Sequence, residues 1–402
     1  MKKNLLLIFI LAALSVNAQM NWVEMPSITH LHYSPASYMV GTKFYVCGGL
    51  VNSSVSNGDL DEYDITTNVW TRKSPLPAWA AMYGAKGFSV NGKLYLTCGQ
   101  TNTGLTDSLY EYNPATDLWS TMASFPGGAR YTACQFSIGN FGYVGLGFSP
   151  YYNDLYRYDA TTNTWAQMTN FPGTARQSAF SFVVDGSAYI GLGSDGTNPS
   201  DVYRFDTAGT GTWTQVASFP GISRNSGASF GYGGNGYIMC GYDANATTIY
   251  NDIWKYSVAA NSWTNLGRYP GEARREVAYA NLDSILIIGA GDTTVNGSGL
   301  SGTYWKTCFN SECTTNSIPD LALNISLKCY PSPTSGSFAI DLSSFDAGQK
   351  EIAIYNDLGQ IAYQTTTDQN KMQVTDELPS GLYTVSITQN TRRESVRIVV
   401  IK

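Results

Sequence analysis

Through residues 21–310 apolar and polar positions alternate in short runs, and small turn residues interrupt them. In one representative stretch, 131–138 and 142–148 read as two strands. Residues 154–158 alternate apolar and polar as a third, and 164–168 supply a fourth. Turn chemistry sits where such strands must reverse: Asn91-Gly92, Gly139-Asn140 and Asp185-Gly186 between first and second, 66–68 and 161–163 between third and fourth.

The pattern recurs. Trp22, Trp70, Trp119, Trp165, Trp213 and Trp263 follow one another at 48, 49, 46, 48 and 50 residues. An independent series, Gly49, Gly99, Gly147, Gly193, Gly241 and Gly291, keeps the same phase. Seventeen residues before each glycine stand His32, Met82, Arg130, Arg176, Arg224 and Arg274. A four-stranded unit near 48 residues, present six times, is the arithmetic of a six-bladed β-propeller. A linear solenoid would have shorter repeats and dedicated caps. The sixth copy lacks its fourth-strand Trp, while Trp22 is a fourth-strand Trp with nothing before it. Residues 21–25 are therefore expected to complete the last blade and close the ring.

Composition narrows the function. Only 13% of residues are charged, against 13% aromatic, with 28 Tyr and 40 Gly, so coiled coils and disordered tails are excluded as the main architecture. Lys2 and Lys3, the apolar run 5–14 and Val16-Asn17-Ala18 form a secretory signal, with cleavage expected between Ala18 and Gln19. Without it the chain has 22 basic and 30 acidic residues, a net charge of −8 in place of −6. Nothing there holds a phosphate backbone, so nucleic acid is not an expected partner. No later stretch is long and apolar enough to predict a membrane span, and no Cys follows the cut to carry a lipid.

The repeated frame of Arg, a Tyr thirteen residues on and a Gly four further, with segments such as Asn153-Asp154-Leu155-Tyr156-Arg157-Tyr158-Asp159 before Trp165, resembles the kelch repeat over roughly 21–310. The family's glycine pair survives only as Gly48-Gly49; Cys98, Leu146, Leu192, Cys240 and Ala290 hold the first place elsewhere. Some six-bladed kelch-like propellers exported to the periplasm are sialic acid mutarotases, so the resemblance implies a sugar-acid mutarotase as an alternative to pure binding. At the carboxyl end, Tyr330-Pro331-Ser332-Pro333-Thr334-Ser335-Gly336 is followed by short alternating strands around Gly359, Gly381 and Tyr383 and a finish at Lys402. These motifs resemble the type A sorting domain of the type IX secretion system, which implies passage across the outer membrane. The expected organisation is a signal peptide (1–18), an all-β six-bladed kelch-like propeller closed by its amino-terminal strand (19–312), a linker (313–325) and a small β-sandwich for sorting (326–402).

Candidate chemistry is sparse. His30 and His32 are the only histidines, so no metal, cofactor or catalytic set is assigned. The acidic run 59–64 reads as a third strand with surface charge, and the Gly-rich 231–236 as a strand turn. Cys98 and Cys240 fall in equivalent slots across the ring and read as buried apolar residues, while Cys308 and Cys313 are a candidate disulfide. An Arg at the start of a first strand can reach an acid at the start of the third, which pairs Arg130, Arg176 and Arg224 with Asp154, Asp201 and Asp252, and His32 with Asp59. Arg274 faces Thr303 instead, so Arg274, Arg275 and Glu276 are the expected ligand contacts, with pairing of Arg274 to Glu272, Asp292 or a backbone carbonyl as the alternative. Tyr151, Tyr152 and Tyr242 join them from the variable loops 148–152 and 242–250. The expected role is recognition of an extracellular protein or glycan, with the type IX machinery as export partner; a scaffold in a surface complex is a third reading.

Overall fold

The computed structural model describes residues 20–28, 30–51 and 55–309, then 328–330, 337–343, 345, 347–356, 361–375, 378–389 and 392–400. The expected cleavage site, the linker 313–325, Cys313, Pro331, Pro333, Gly336, Gly359 and Lys402 lie outside them. Apart from one 3-10 turn at Ala78–Ala80 the described chain is all β.

Six antiparallel four-stranded sheets form the blades. The third contains Cys134–Ile138, Phe141–Gly145, Leu155–Asp159 and Thr164–Gln167 in that order. Its first strand begins three residues later than the alternation predicts, and its second ends three earlier. Thr132 and Leu146 have φ of 52° and 54°, so the ladder breaks at both and leaves Tyr131 and Phe148 as a lone bridge. The last blade contains Ala278–Leu282, Ile285–Gly289, Tyr304–Cys308 and, as its outer strand, Asn21–Glu24, with Trp22 opposite Thr307. Closure by the amino-terminal strand is thus observed.

The spaced tryptophans explain their own period. Trp119, Trp165, Trp213 and Trp263 each donate Nε1–H at 2.9 Å to a backbone carbonyl of the preceding blade. Trp70 donates to the Pro26 carbonyl just beyond the closing strand, so the seam carries the same stitch. Within a blade, first-strand Phe stacks on the second-strand Tyr opposite it, as in Phe136–Tyr143 at 4.9 Å and Phe230–Tyr237 at 5.0 Å, and Tyr143 meets Phe205 of the next blade edge-on at 6.1 Å.

The carboxyl-terminal unit is a separate sandwich. Lys328–Tyr330, Phe338–Asp341 and Lys371–Val374 form one sheet; Ile361–Thr367, Lys350–Tyr355, Gly381–Gln389 and Arg392–Val400 form the other. Its core holds Phe338, Ile340, Ile352, Ile354, Val385 and Ile387. Tyr383 is buried against that core and donates its hydroxyl to the Pro379 carbonyl at 3.0 Å, which fixes the entry into the strand that begins at Gly381.

Cys47, Cys98, Cys134, Cys240 and Cys329 are free thiols. Burial pushes Cys98 and Cys240 up to about 12, which suits inert packing residues. Cys308 is disulfide-bonded.

Candidate functional site on the loop face

The six slots that precede the repeat glycine by seventeen residues are structural, and the geometry shows why. The residue just before each glycine (Gly48, Cys98, Leu146, Leu192, Cys240, Ala290) is left-handed, with φ between 52° and 68°. In five blades its carbonyl accepts from the slot side chain: Arg130 Nη1 at 3.0 Å, Arg176 Nη1 at 3.1 Å, Arg224 Nη1 at 3.5 Å, Arg274 Nη1 at 3.1 Å and His32 Nδ1 at 2.5 Å. Only one copy keeps glycine there; at Leu146, Leu192, Cys240 and Ala290 that bond offsets the strain, while Cys98 takes the same conformation opposite Met82 without it. The next residue must be glycine: a Cβ on Gly241 would sit 2.7 Å from the Asn225 carbonyl oxygen.

Arg130, Arg176 and Arg224 are buried and bind both oxygens of Asp154, Asp201 and Asp252, as the pairing rule predicts. Blade one departs from it. His32 reaches Asp61 at 3.2 Å, not Asp59, because its ring is shorter than an Arg side chain and already holds the Gly48 carbonyl; Arg72 takes both Asp59 and Asp61. Arg274 is also fully buried. It donates to the carbonyls of Glu272, Ala290 and Thr303 and to Thr303 Oγ1, so it braces its own blade and does not reach the loop face.

The next two positions build the face itself. The second residue after each slot is Ser34, Gly84, Thr132, Ser178, Ser226 or Glu276, all left-handed. Their backbones form one closed ring: each N–H donates to the carbonyl of the preceding blade, from Gly84 to Ser34 at 3.0 Å round to Ser34 on Glu276 at 3.2 Å. The first residue after each slot is Tyr33, Tyr83, Tyr131, Gln177, Asn225 or Arg275, each bridged to the residue following its repeat glycine. An invariant frame thus presents one variable side chain per blade around the axis.

Chemistry concentrates at blade six. Glu276 accepts from Ser34 Oγ at 2.7 Å and Ser226 Oγ at 2.6 Å, hydroxyls of the two neighbouring blades. The Arg275 guanidinium lies 4.8 Å from the Tyr242 ring centre and 6.0 Å from that of Tyr33, and donates to Asp292 at 3.2 Å. Its Nε–H is buried without a partner. Burial first, then the Glu276 carboxylate, pushes the Tyr33 phenol far above its usual range despite Arg275, so it stays a proton donor. Of the expected contacts, Arg275, Glu276 and Tyr242 therefore come together. Tyr152 instead covers the buried Arg130 at 3.5 Å, and Tyr151 packs on Phe148 at 4.8 Å. Sequence reasoning passed over Tyr33. The signal was available in the residue after each slot, which changes chemistry while its neighbours hold the frame.

Asp292 orders the blade-six loop. Burial pushes its carboxyl up, but N–H and O–H donors from Thr294, Arg275 and Gly299 outweigh that and hold it below the usual carboxylate range. A depressed folded value means the stabilisation is complete above the unfolded value near pH 4 and lost as pH falls through the folded one. Hydrogen exchange should show Thr294 and Gly299 amides losing protection on acidification, and Asp292→Asn should lose it at neutral pH. Protection independent of pH would remove the carboxylate from this role.

Residues 328–402 match the family described as Secretion system C-terminal sorting domain, and 35–77 and 81–126 match the Kelch motif. This is a kelch-type propeller with a secretion sorting domain. The sorting domain marks the protein for type IX secretion to the cell surface or the medium. Among the described residues no helix is long and apolar enough to cross a membrane. The chain is 31% identical over 121 residues to Kelch-like protein terF of Aspergillus terreus, a match covering 28% of this chain and 25% of that protein. It is 28% identical over 123 residues to an F-box/kelch-repeat protein of Arabidopsis thaliana, covering 30% and 29%. It is also 31% identical over 87 residues to Ulvan lyase NLR42 of Nonlabens ulvanivorans, covering 21% and 16%. The chain thus spans under a third of each relative's length. A solved structure titled Structure of YjhT superposes with a TM-score of 0.60 at 15% identity, covering 69% of this chain and 95% of that one. At that identity the likeness concerns the fold.

Proposed function

We propose that the propeller recognises an extracellular glycan through its loop face, centred on Tyr33, Tyr242, Arg275 and Glu276. The observation that carries this is their convergence on blade six. An aromatic face, a guanidinium with an unpartnered Nε–H and a carboxylate are the groups that stack on a sugar ring and bond its hydroxyl and acid substituents. Exposed apolar side chains on the same face, Leu31, Val55, Trp79, Ile222 and Val295, add contact surface around it. The short match to a protein named ulvan lyase supports a polysaccharide setting without assigning its activity. On a glycan array the secreted protein should bind acidic glycans. Arg275→Gln and Tyr242→Ala should each weaken that binding about tenfold, the equivalent of one charge-assisted contact. Binding unaffected by both, or binding to no glycan, would refute the assignment.

A second reading, mutarotation of a sugar acid, is favoured by the Glu276 carboxylate beside the Tyr33 phenol, an acid–base couple next to Arg275. Proton NMR of sialic acid anomers decides it: acceleration lost in Glu276→Gln supports an enzyme, and no acceleration leaves the binder alone.

Export is tested separately. Deleting 328–402 should hold the propeller in the periplasm; its continued release to the medium would show that another segment directs export.

A further inference from the structure

The six first strands surround a cavity of about 390 Å³ on the propeller axis, running from Ser178 and Ser226 in the backbone ring to Ser89 and Asn281 by the turns of the opposite face. Its wall is polar. Ser181 and Ser229 hydroxyls bond neighbouring strands, Ser229 lies 3.5 Å from the Tyr279 hydroxyl, and Asn281 bonds the Gly231 carbonyl. Two groups on the wall are not satisfied by the protein. Gln135, 8% exposed, gives its Nε2–H to the Thr97 carbonyl and leaves Oε1 without a partner. The Tyr38 hydroxyl, on a side chain 3% exposed, is also unpartnered. Buried polar groups left open in this way are costly unless something occupies the space.

Charge is one-sided. Lys86 lines the cavity and has no ion-pair partner among the described residues, and no described carboxylate lines it. Lys86 is the register partner of Thr97, whose carbonyl holds Gln135, so cation and open acceptor stand on the same part of the wall. We propose that this axial cavity, beneath the backbone ring of the loop face, is a second binding site, separate from the Arg275 cluster, for a small hydroxylated carboxylate. Lys86 takes the acid group, while Gln135 Oε1 and the serine hydroxyls take the hydroxyls. A neutral sugar leaves Lys86 uncompensated, and a bare apolar acid leaves Gln135 open, so the wall selects for both features together.

Calorimetric titration of the full secreted protein with D-glucuronate and with D-glucose tests this. Glucuronate should bind saturably and glucose at least tenfold more weakly. Lys86→Met should bring glucuronate down to the glucose level, and Ser137→Trp, near the turn end of the wall, should abolish both. Arg275 lies at the loop-face cluster and outside the cavity wall, so Arg275→Gln should leave the Lys86-dependent glucuronate heat in place, which separates this site from the glycan reading. Equal weak heats for the two sugars, or loss of glucuronate binding in Arg275→Gln but not in Lys86→Met, would overturn the proposal and leave the cavity as a column of water. Unchanged unfolding midpoints of Lys86→Met and Ser137→Trp confirm that a lost signal reports binding.

Discussion

Replacing Arg176 by methionine should destabilise the propeller by about 3 kcal/mol, seen as a lower urea midpoint with unchanged slope. All five guanidinium N–H groups are used: Nε and Nη2 on the Thr174 carbonyl and hydroxyl, Nη1 on the Leu192 carbonyl, and Nη1 and Nη2 on the two Asp201 oxygens. Its removal leaves Asp201 unpaired and the buried Leu192 carbonyl without its side-chain donor, while the two Thr174 oxygens lie at an exposed residue within reach of water. Asp201 keeps 23% of its side-chain exposure, so water recovers part of its solvation and the cost falls at the lower end for a broken buried pair. Asp201→Leu added to Arg176→Met should be less destabilising than the two single effects combined, because no lone charge remains. Additive effects would show that the pair is not coupled.

The repeat explains what could be read in advance. Blade number, strand order and the Arg–Asp pairs of blades three to five follow from positions whose spacing is fixed by a shared frame, and the structure contains them. The frame's exceptions were less legible. His32 binds Asp61 because a ring's reach, and not its slot, selects its partner. Arg274 lacks an acid, which left ligand contact and a backbone-carbonyl partner both open; carbonyls satisfy it, and their directions depend on φ values that residue identity does not reveal. The left-handed Leu146, Leu192 and Ala290 show this best, since their side chains disfavour that conformation and the bond to the slot side chain helps to offset it. The axial cavity was invisible for a related reason. Its wall is made of serines and glycines that look like ordinary strand positions until six strands face one another.

The largest effect is expected at the seam. Deleting residues 21–24 removes the outer strand of blade six and bares Tyr304–Cys308 as an edge. Also lost are the Trp22–Tyr269 ring contact at 5.4 Å and the Thr307 hydroxyl bond to Asn21. At about 1 kcal/mol per net backbone bond and about 2 for the half-buried Trp22, several kcal/mol go at once, a large share of the 5–15 that hold a typical domain. The exposed edge is also a template for another copy, so the variant should aggregate on secretion as well as unfold early. Trp22→Ala keeps the ladder and should lose only the packing share, with the protein still soluble. A synthetic peptide of residues 20–26 supplied to the deletion variant should recover solubility by pairing with the vacant edge. A deletion variant that stays monomeric with an unchanged unfolding midpoint would mean the ring is held by its inter-blade tryptophan bonds and backbone ring alone.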